Sequence, residues 1–276
     1  MTNLYLGYTD AELVSSPYAR FYKPQMAGLP PHVKHALLNG AVAEELMPGF
    51  ESAAELQRSG YWPVETGYTL AADRSARVSI LTHMPGVTPA MWDWWFAWHG
   101  SEAQRYKLWH PRSHVYVAWE DGREGLDTYI GRTSQVVEYI GSTRMDLTIR
   151  FVPPASVGFD EQLLSEKGEV AICARGGVGG LPFETGWLIH HVRPVPGGSE
   201  MRSRFWLAGD NIELRGHSGA AGKLLSRTAA FLNRDGPRVA RDILVHCAQE
   251  MNHLAALLPE LYANFYKEPT DESDRR

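Results

Sequence analysis

The stretch HCAQEMNH, residues 246–253, decides how this chain is read. His246 and Glu250 are four apart and His253 follows three later, so on a helix all three share one face. Around them Val239, Ile243 and Leu244, then Leu254, Leu257, Leu258 and Leu261, repeat with the period of a buried helical stripe. A core-facing helix that carries two imidazoles and a carboxylate inward needs something to compensate them.

Working back from that helix, the chain reads as a run of strands. SHVYVAWE, QVVEYIG, MDLTIRFVP, EVAICARG, GWLIHHVRPV and EMRSRFWLAG are rich in β-branched and aromatic residues and are separated by EDG, GG and PGG turn signals. GYTLAADRSARVSILTHM adds a strand or hairpin, and Thr88 with Pro89 starts a helix through MWDWWFAWHG. A helical segment from Gly219 to Tyr266 is interrupted near RDGP (234–237), where Asp235 caps and Pro237 opens the long final helix. Strands followed by a helix predict an α+β fold, with the helix packed across one curved antiparallel sheet and a ligand cavity between the layers.

Residues 1–65, broken by Pro24, Pro30, Pro31, Pro48 and Pro63, read as a mostly helical and irregular N-terminal extension. PHVKHALLNG and SAAELQRSG fit as short helices, the second with Ser52 as N-cap and Glu55 three residues on. Residues 66–267 read as the main domain, and residues 268–276 as a polar tail expected to be disordered.

Bulk properties exclude several classes. With 276 residues and 44% hydrophobic content the chain buries a conventional core. A net charge of −5 gives no footprint for nucleic acid or an anionic membrane, and no apolar run has spanning length. Cys173 and Cys247 form no metal pair or disulfide framework, and MTNLYLGYTD is no signal peptide, so a cytoplasmic location is expected. Nine Trp, twelve Tyr and nine Phe supply either a core of large side chains or a cavity wall for a flat aromatic ligand.

On chemistry alone, His246 and Glu250 admit two readings: a solvated helix face, or half of a divalent metal site. His110, His114, Glu138, His190 and His191 are further candidates; Glu138 sits among Val136, Val137, Tyr139 and Ile140, where a carboxylate needs a partner. Arg193, Arg202 and Arg204 either pair with buried carboxylates, contact an oxygen-rich substrate or are solvated at the surface, the last being favoured for any single one. GGVGGLP (176–182) reads as a mobile turn over the cavity. GHSGA and HSGAAGKL fail as a nucleophile elbow and a phosphate loop.

Taken together, MWDWWFAWH, RYKLWHPRSH, EYIG, HHVRP, RSRFW and HCAQEMNHLA resemble the diacetylphloroglucinol hydrolase family, which includes phloretin hydrolase. The resemblance spans roughly residues 60 to 266 and implies a Bet v 1-like helix-grip fold, a zinc ion (Zn2+) and hydrolysis of the carbon–carbon bond between an acyl group and a phenolic ring. It implies zinc ligands at His114, Glu138, His246 and Glu250, and substrate contacts at Tyr106 and at His190, with His191 the alternative. Where the family has a substrate-contacting asparagine and a second tyrosine, this chain has no asparagine after His114, and Phe205 lies nearest the tyrosine. The implied partner is a small aromatic ketone, and a homodimer is expected. Two other classes stay open: a metal-free carrier of hydrophobic molecules, and an aromatic polyketide cyclase or lyase.

Overall fold

A computed structural model describes residues 4–124, 128–215 and 236–266. The helical segment expected from Gly219, the Asp235 cap and the polar tail lie outside the described residues.

The strands are β1 (Gly67–Leu70), β2 (Ala76–Pro85), β3 (His114–Trp119), β4 (Thr133–Ile140), β5 (Thr143–Val152), β6 (Val170–Val178), β7 (Phe183–Val195), β8 (Gly198–Leu207) and the short β9 (Glu213–Leu214). All pair antiparallel in one sheet of order β1-β2-β8-β7-β6-β5-β4-β3, with β9 on β7. The helices are α1 (Asp10–Ser15), α2 (Pro31–Asn39), α3 (Pro89–Trp98), α4 (Ala103–Trp109), α5 (Glu161–Lys167), α6 (Gly236–Ala255) and α7 (Leu258–Phe265).

Helix α6 packs on β1 and β2 near one end of the sheet and on β4 near the other. Five strand spacings separate β2 from β4, roughly 24 Å if flat. The sheet must therefore curve around the helix, which is the expected α+β, Bet v 1-like grip. Ala240, Leu244, Cys247, Ala248, Met251 and Leu254 form the buried stripe of α6. Most of the aromatic surplus is core: Trp92 and Trp95 are sealed, and Trp98 stacks on Phe265 of α7.

A second layer covers the outside of the sheet. The 3-10 helix Phe50–Gln57, α5 and Trp62 cover Ile189 and Trp206, and the Trp206 indole donates to the Pro48 carbonyl at 3.0 Å. This layer decides between the readings of the arginines, in favour of pairing with carboxylates rather than solvation. Arg202 and Arg204 are buried at 1% exposure and both bind Glu65, while Arg193 pairs with Glu200. They face outward from β8 as alternation requires, but the segment ending at Glu65 closes over them. Two smaller expectations need correction. Gly49, not Ser52, is the N-cap of the helix at 50–57. Gly176 and Gly177 continue the β6 ladder, paired with Gly186 and Glu184, and the expected turn is confined to residues 179–182. A side chain at Gly177 would collide with Thr148 and the Phe183 carbonyl, so Gly177 serves close strand approach.

Candidate active site

Between sheet and helix lies a cavity of about 640 Å³ including its mouth. Strand alternation builds its wall: Ser134, Val136, Glu138 and Ile140 from β4, Ile149 and Phe151 from β5, Leu188 and His190 from β7, Phe205 from β8. Helix α6 contributes Ile243, His246, Cys247 and Glu250, spaced i, i+3, i+4, i+7. Phe96, His99, Tyr106 and Trp109 come from α3, α4 and their junction.

A β-bulge at the start of β3 sets the polar end. From Trp119↔Ser134 to Tyr116↔Val137 the register is regular, and it then shifts so that His114 faces Glu138. Directly opposed residues in an antiparallel pair share a face, so the bulge turns both side chains inward. His114, Glu138 and His246 offer ligand atoms within 4.8 Å of one another, all buried. Glu250 joins them: its Oε2 lies 3.4 Å from His114 Nε2 and 3.6 Å from His246 Nε2. Glu138 Oε2 lies 3.3 Å and 3.5 Å from the same two nitrogens. Four side chains from β3, β4 and α6 thus converge on one point.

The hydrogen bonds around them fix protons. His114 Nδ1 is 3.0 Å from the Tyr106 carbonyl, which only accepts, so Nδ1 carries the hydrogen. In neutral His114 the Nε2 lone pair then faces two carboxylate oxygens; this nitrogen is sealed from solvent and has no aligned hydrogen-bond partner. Burial pulls His114 downward, but Glu138 and Glu250 outweigh it and push the imidazole up to about 9. Burial raises Glu138, yet His114 and His246 hold it well below the usual carboxylate range. The Tyr106 hydroxyl donates to Glu138 Oε2 at 2.7 Å, its ring stacks on His114 at 3.8 Å, and burial followed by the neighbouring carboxylates raises its pKa well above the ordinary value. A divalent cation fits this arrangement. It would accept the orphaned Nε2 lone pair and separate the two carboxylates, and two imidazoles with two carboxylates are donors zinc accepts.

The remaining expected residues divide. His190 lines the cavity, with Nδ1 2.8 Å from Ser203 Oγ, whereas His191 points to the outer layer and binds Glu169 at 2.9 Å. His110 is no cavity residue; it stacks on His246 at 4.9 Å. His253 lies about 10 Å further along α6 than His246, where its Nδ1 accepts from the Ala27 amide. His99, Trp109, Ser134 and Cys247 line the cavity without having been singled out by sequence. Nothing in the sequence marked His99, whose Nδ1 hydrogen goes to the Trp95 carbonyl at 2.8 Å.

Comparison with known proteins gives the site its class: the chain is an enzyme, a hydrolase. It belongs to the DAPG hydrolase family, whose model, described as DAPG hydrolase PhiG domain, matches residues 46–263. Residues 46–65 of the segment read as an extension are therefore inside the family match. A 2,4-diacetylphloroglucinol hydrolase from a Pseudomonas species is 30% identical over 276 residues, covering 96% of this chain and 93% of that protein. Phloretin hydrolase from Eubacterium ramulus is 31% identical over 257 residues, covering 89% of each. Among solved structures, protein Ms6760 from Mycobacterium smegmatis superposes with a TM-score of 0.39 at 13% identity, over 71% of this chain and 98% of that one. Membership of a hydrolase family favours the enzyme over the carrier and cyclase alternatives. Among the described residues no helix is long and apolar enough to cross a membrane.

Proposed function

We propose that this hydrolase cleaves the carbon–carbon bond joining an acyl group to a polyhydroxylated aromatic ring, giving a carboxylic acid and a phenol, with a zinc ion held by His114, Glu138, His246 and Glu250. The observation that carries the reading is the convergence of two imidazoles and two carboxylates, with the sealed His114 Nε2 lacking an aligned hydrogen-bond partner and lying 3.3 and 3.4 Å from Glu138 and Glu250. Family membership and the names of the relatives support the reaction and the substrate class.

Zinc, when bound, supplies a Lewis acid that polarises oxygen and makes water nucleophilic near neutral pH. The chain's own groups do the rest. An aryl anion is a poor leaving group, but a ring hydroxylated on alternate carbons tautomerises to a keto form whose departing carbon is sp³. Water adds OH to the acyl carbon. As the carbon–carbon bond breaks, the ring carbon keeps the hydrogen it took from a ring hydroxyl on tautomerising and water's other hydrogen restores that hydroxyl, so no further reactant is required. Tyr106 stays protonated and orients a ring oxygen beside Glu138. His190, which burial lowers to about 3, is a neutral imidazole at neutral pH and faces the ring from β7. Phe96, Phe151, Leu188 and Phe205 enclose the apolar body of the substrate and limit the water that reaches it.

The proposal includes a catalytic domain at 66–267, a cytoplasmic location and a homodimer. Two free, buried cysteines suit a reducing compartment, and the exposed Leu4, Leu6, Leu13 and Val14 suit self-association. The reaction is tested with a panel of acylphloroglucinols and dihydrochalcones, scored for released acid with and without chelator. Acid released only without chelator is expected; acid released equally in its presence refutes the metal assignment.

A further inference from the structure

Besides the four converging side chains, the cavity contains two imidazoles, and their surroundings fix them in opposite tautomers. His99 sits where α3 ends, stacked on Trp95 at 5.3 Å and near-parallel to Tyr106 at 5.9 Å. Its Nδ1 lies 2.8 Å from the Trp95 carbonyl. A carbonyl has no hydrogen to give, so Nδ1 holds the ring hydrogen and Nε2 holds a lone pair.

His190 is set the other way. It is paired in register with Ser203 across β7 and β8, and Ser203 Oγ is 2.8 Å from its Nδ1. Ser203 is fully buried, so its hydroxyl hydrogen needs an acceptor. Its other side-chain neighbour is the Cys247 thiol, which burial keeps protonated. A thiol is a weak acceptor and an imidazole nitrogen a strong one, so Ser203 donates to Nδ1. His190 then carries its hydrogen on Nε2. Neither Nε2 is a sealed, unsatisfied nitrogen like that of His114, although both residues are buried cavity-lining side chains. Both rings stay neutral at working pH, since burial lowers each to about 3.

We propose that His99 is a second substrate-contacting imidazole and that it and His190 act as an acceptor–donor pair, His99 Nε2 accepting from one ring hydroxyl and His190 Nε2–H donating to another ring oxygen, with Ser203 the positioning residue for His190. The pair matches a ring that presents hydroxyl and keto oxygens at once, the state in which the carbon–carbon bond breaks. This rests on the substrate class proposed above.

The test is histidine ring nitrogen NMR on the zinc-loaded protein between pH 6 and 8, with His99→Phe and Ser203→Ala for assignment. Expected are the Nδ1–H form for His99, the Nε2–H form for His190, and movement of both Nε2 signals on adding 1,3,5-trihydroxybenzene. His99→Phe keeps the ring stacking and should retain zinc while kcat/KM falls about 10- to 100-fold. Ser203→Ala should leave His190 a tautomer mixture and lower kcat/KM about tenfold, with Ser203→Thr restoring both. An Nε2–H His99, an Nδ1–H His190, or signals indifferent to the phenol would overturn the pair. If the phenol moves both signals but no acyl phenol yields acid, the pair stands and the reaction assignment fails.

Discussion

Stripping the metal should give the stability of this protein a pH-dependent contribution from His114 that a matched variant isolates. In the metal-free fold the two carboxylates hold this imidazole at about 9, against 6.5 for the free side chain. A difference of about 2.5 units corresponds to about 3 kcal/mol of folded-state preference for the protonated form. Because the folded pKa is the higher one, the contribution is complete below pH 6.5, declines through the interval and is gone above pH 9. Urea unfolding of chelator-treated protein at pH 6 and pH 9, with His114→Asn as the reference, isolates it. The wild type should lose about 3 kcal/mol relative to the variant between the two pH values. Stoichiometric zinc should reverse the trend, because the imidazole must shed that proton to bind and protons compete less at higher pH. Parallel curves for wild type and variant would refute the claim that Glu138 and Glu250 act on His114.

Replacing Tyr106 by Phe should preserve one zinc per chain by elemental analysis and lower kcat by about 100-fold, since the hydroxyl that donates to Glu138 and accepts from a ring hydroxyl is lost. His246→Ala or Glu250→Ala should abolish both metal retention and acid release, read by elemental analysis and product chromatography. Glu65→Ala leaves Arg202 and Arg204 buried without their shared anion and should cost about 3 kcal/mol in denaturant unfolding, with the zinc content of the surviving folded protein unchanged.

What could be read in the sequence followed from period. The stripe on α6 needed only helical spacing, and the strands came from alternation and turn residues. Glu138 stood out because a carboxylate on an apolar strand needs compensation, whereas His114 was one of several candidate histidines until the family resemblance singled it out. That they face each other was not legible, since it depends on a bulge that shifts the register between His114 and Tyr116. His190 and His191 were indistinguishable until β7 had a register; Ser203 lies inside and Glu169 outside. Arg202 and Arg204 stayed undecided between solvation and buried pairing because alternation says which face a residue takes, not whether a distant segment covers it. His99 was hidden by its aromatic neighbours, and its tautomer comes from a carbonyl that composition does not reveal.

The central claim is that side chains from β3, β4 and α6 jointly hold one metal ion. An anomalous difference map from crystals of the zinc-loaded protein, recorded at the zinc edge, tests it without recourse to activity. One peak per chain is predicted, with two nitrogens and two oxygens from His114, His246, Glu138 and Glu250 at about 2.0–2.2 Å. A peak that omits any of the four, or none in the cavity, would contradict it.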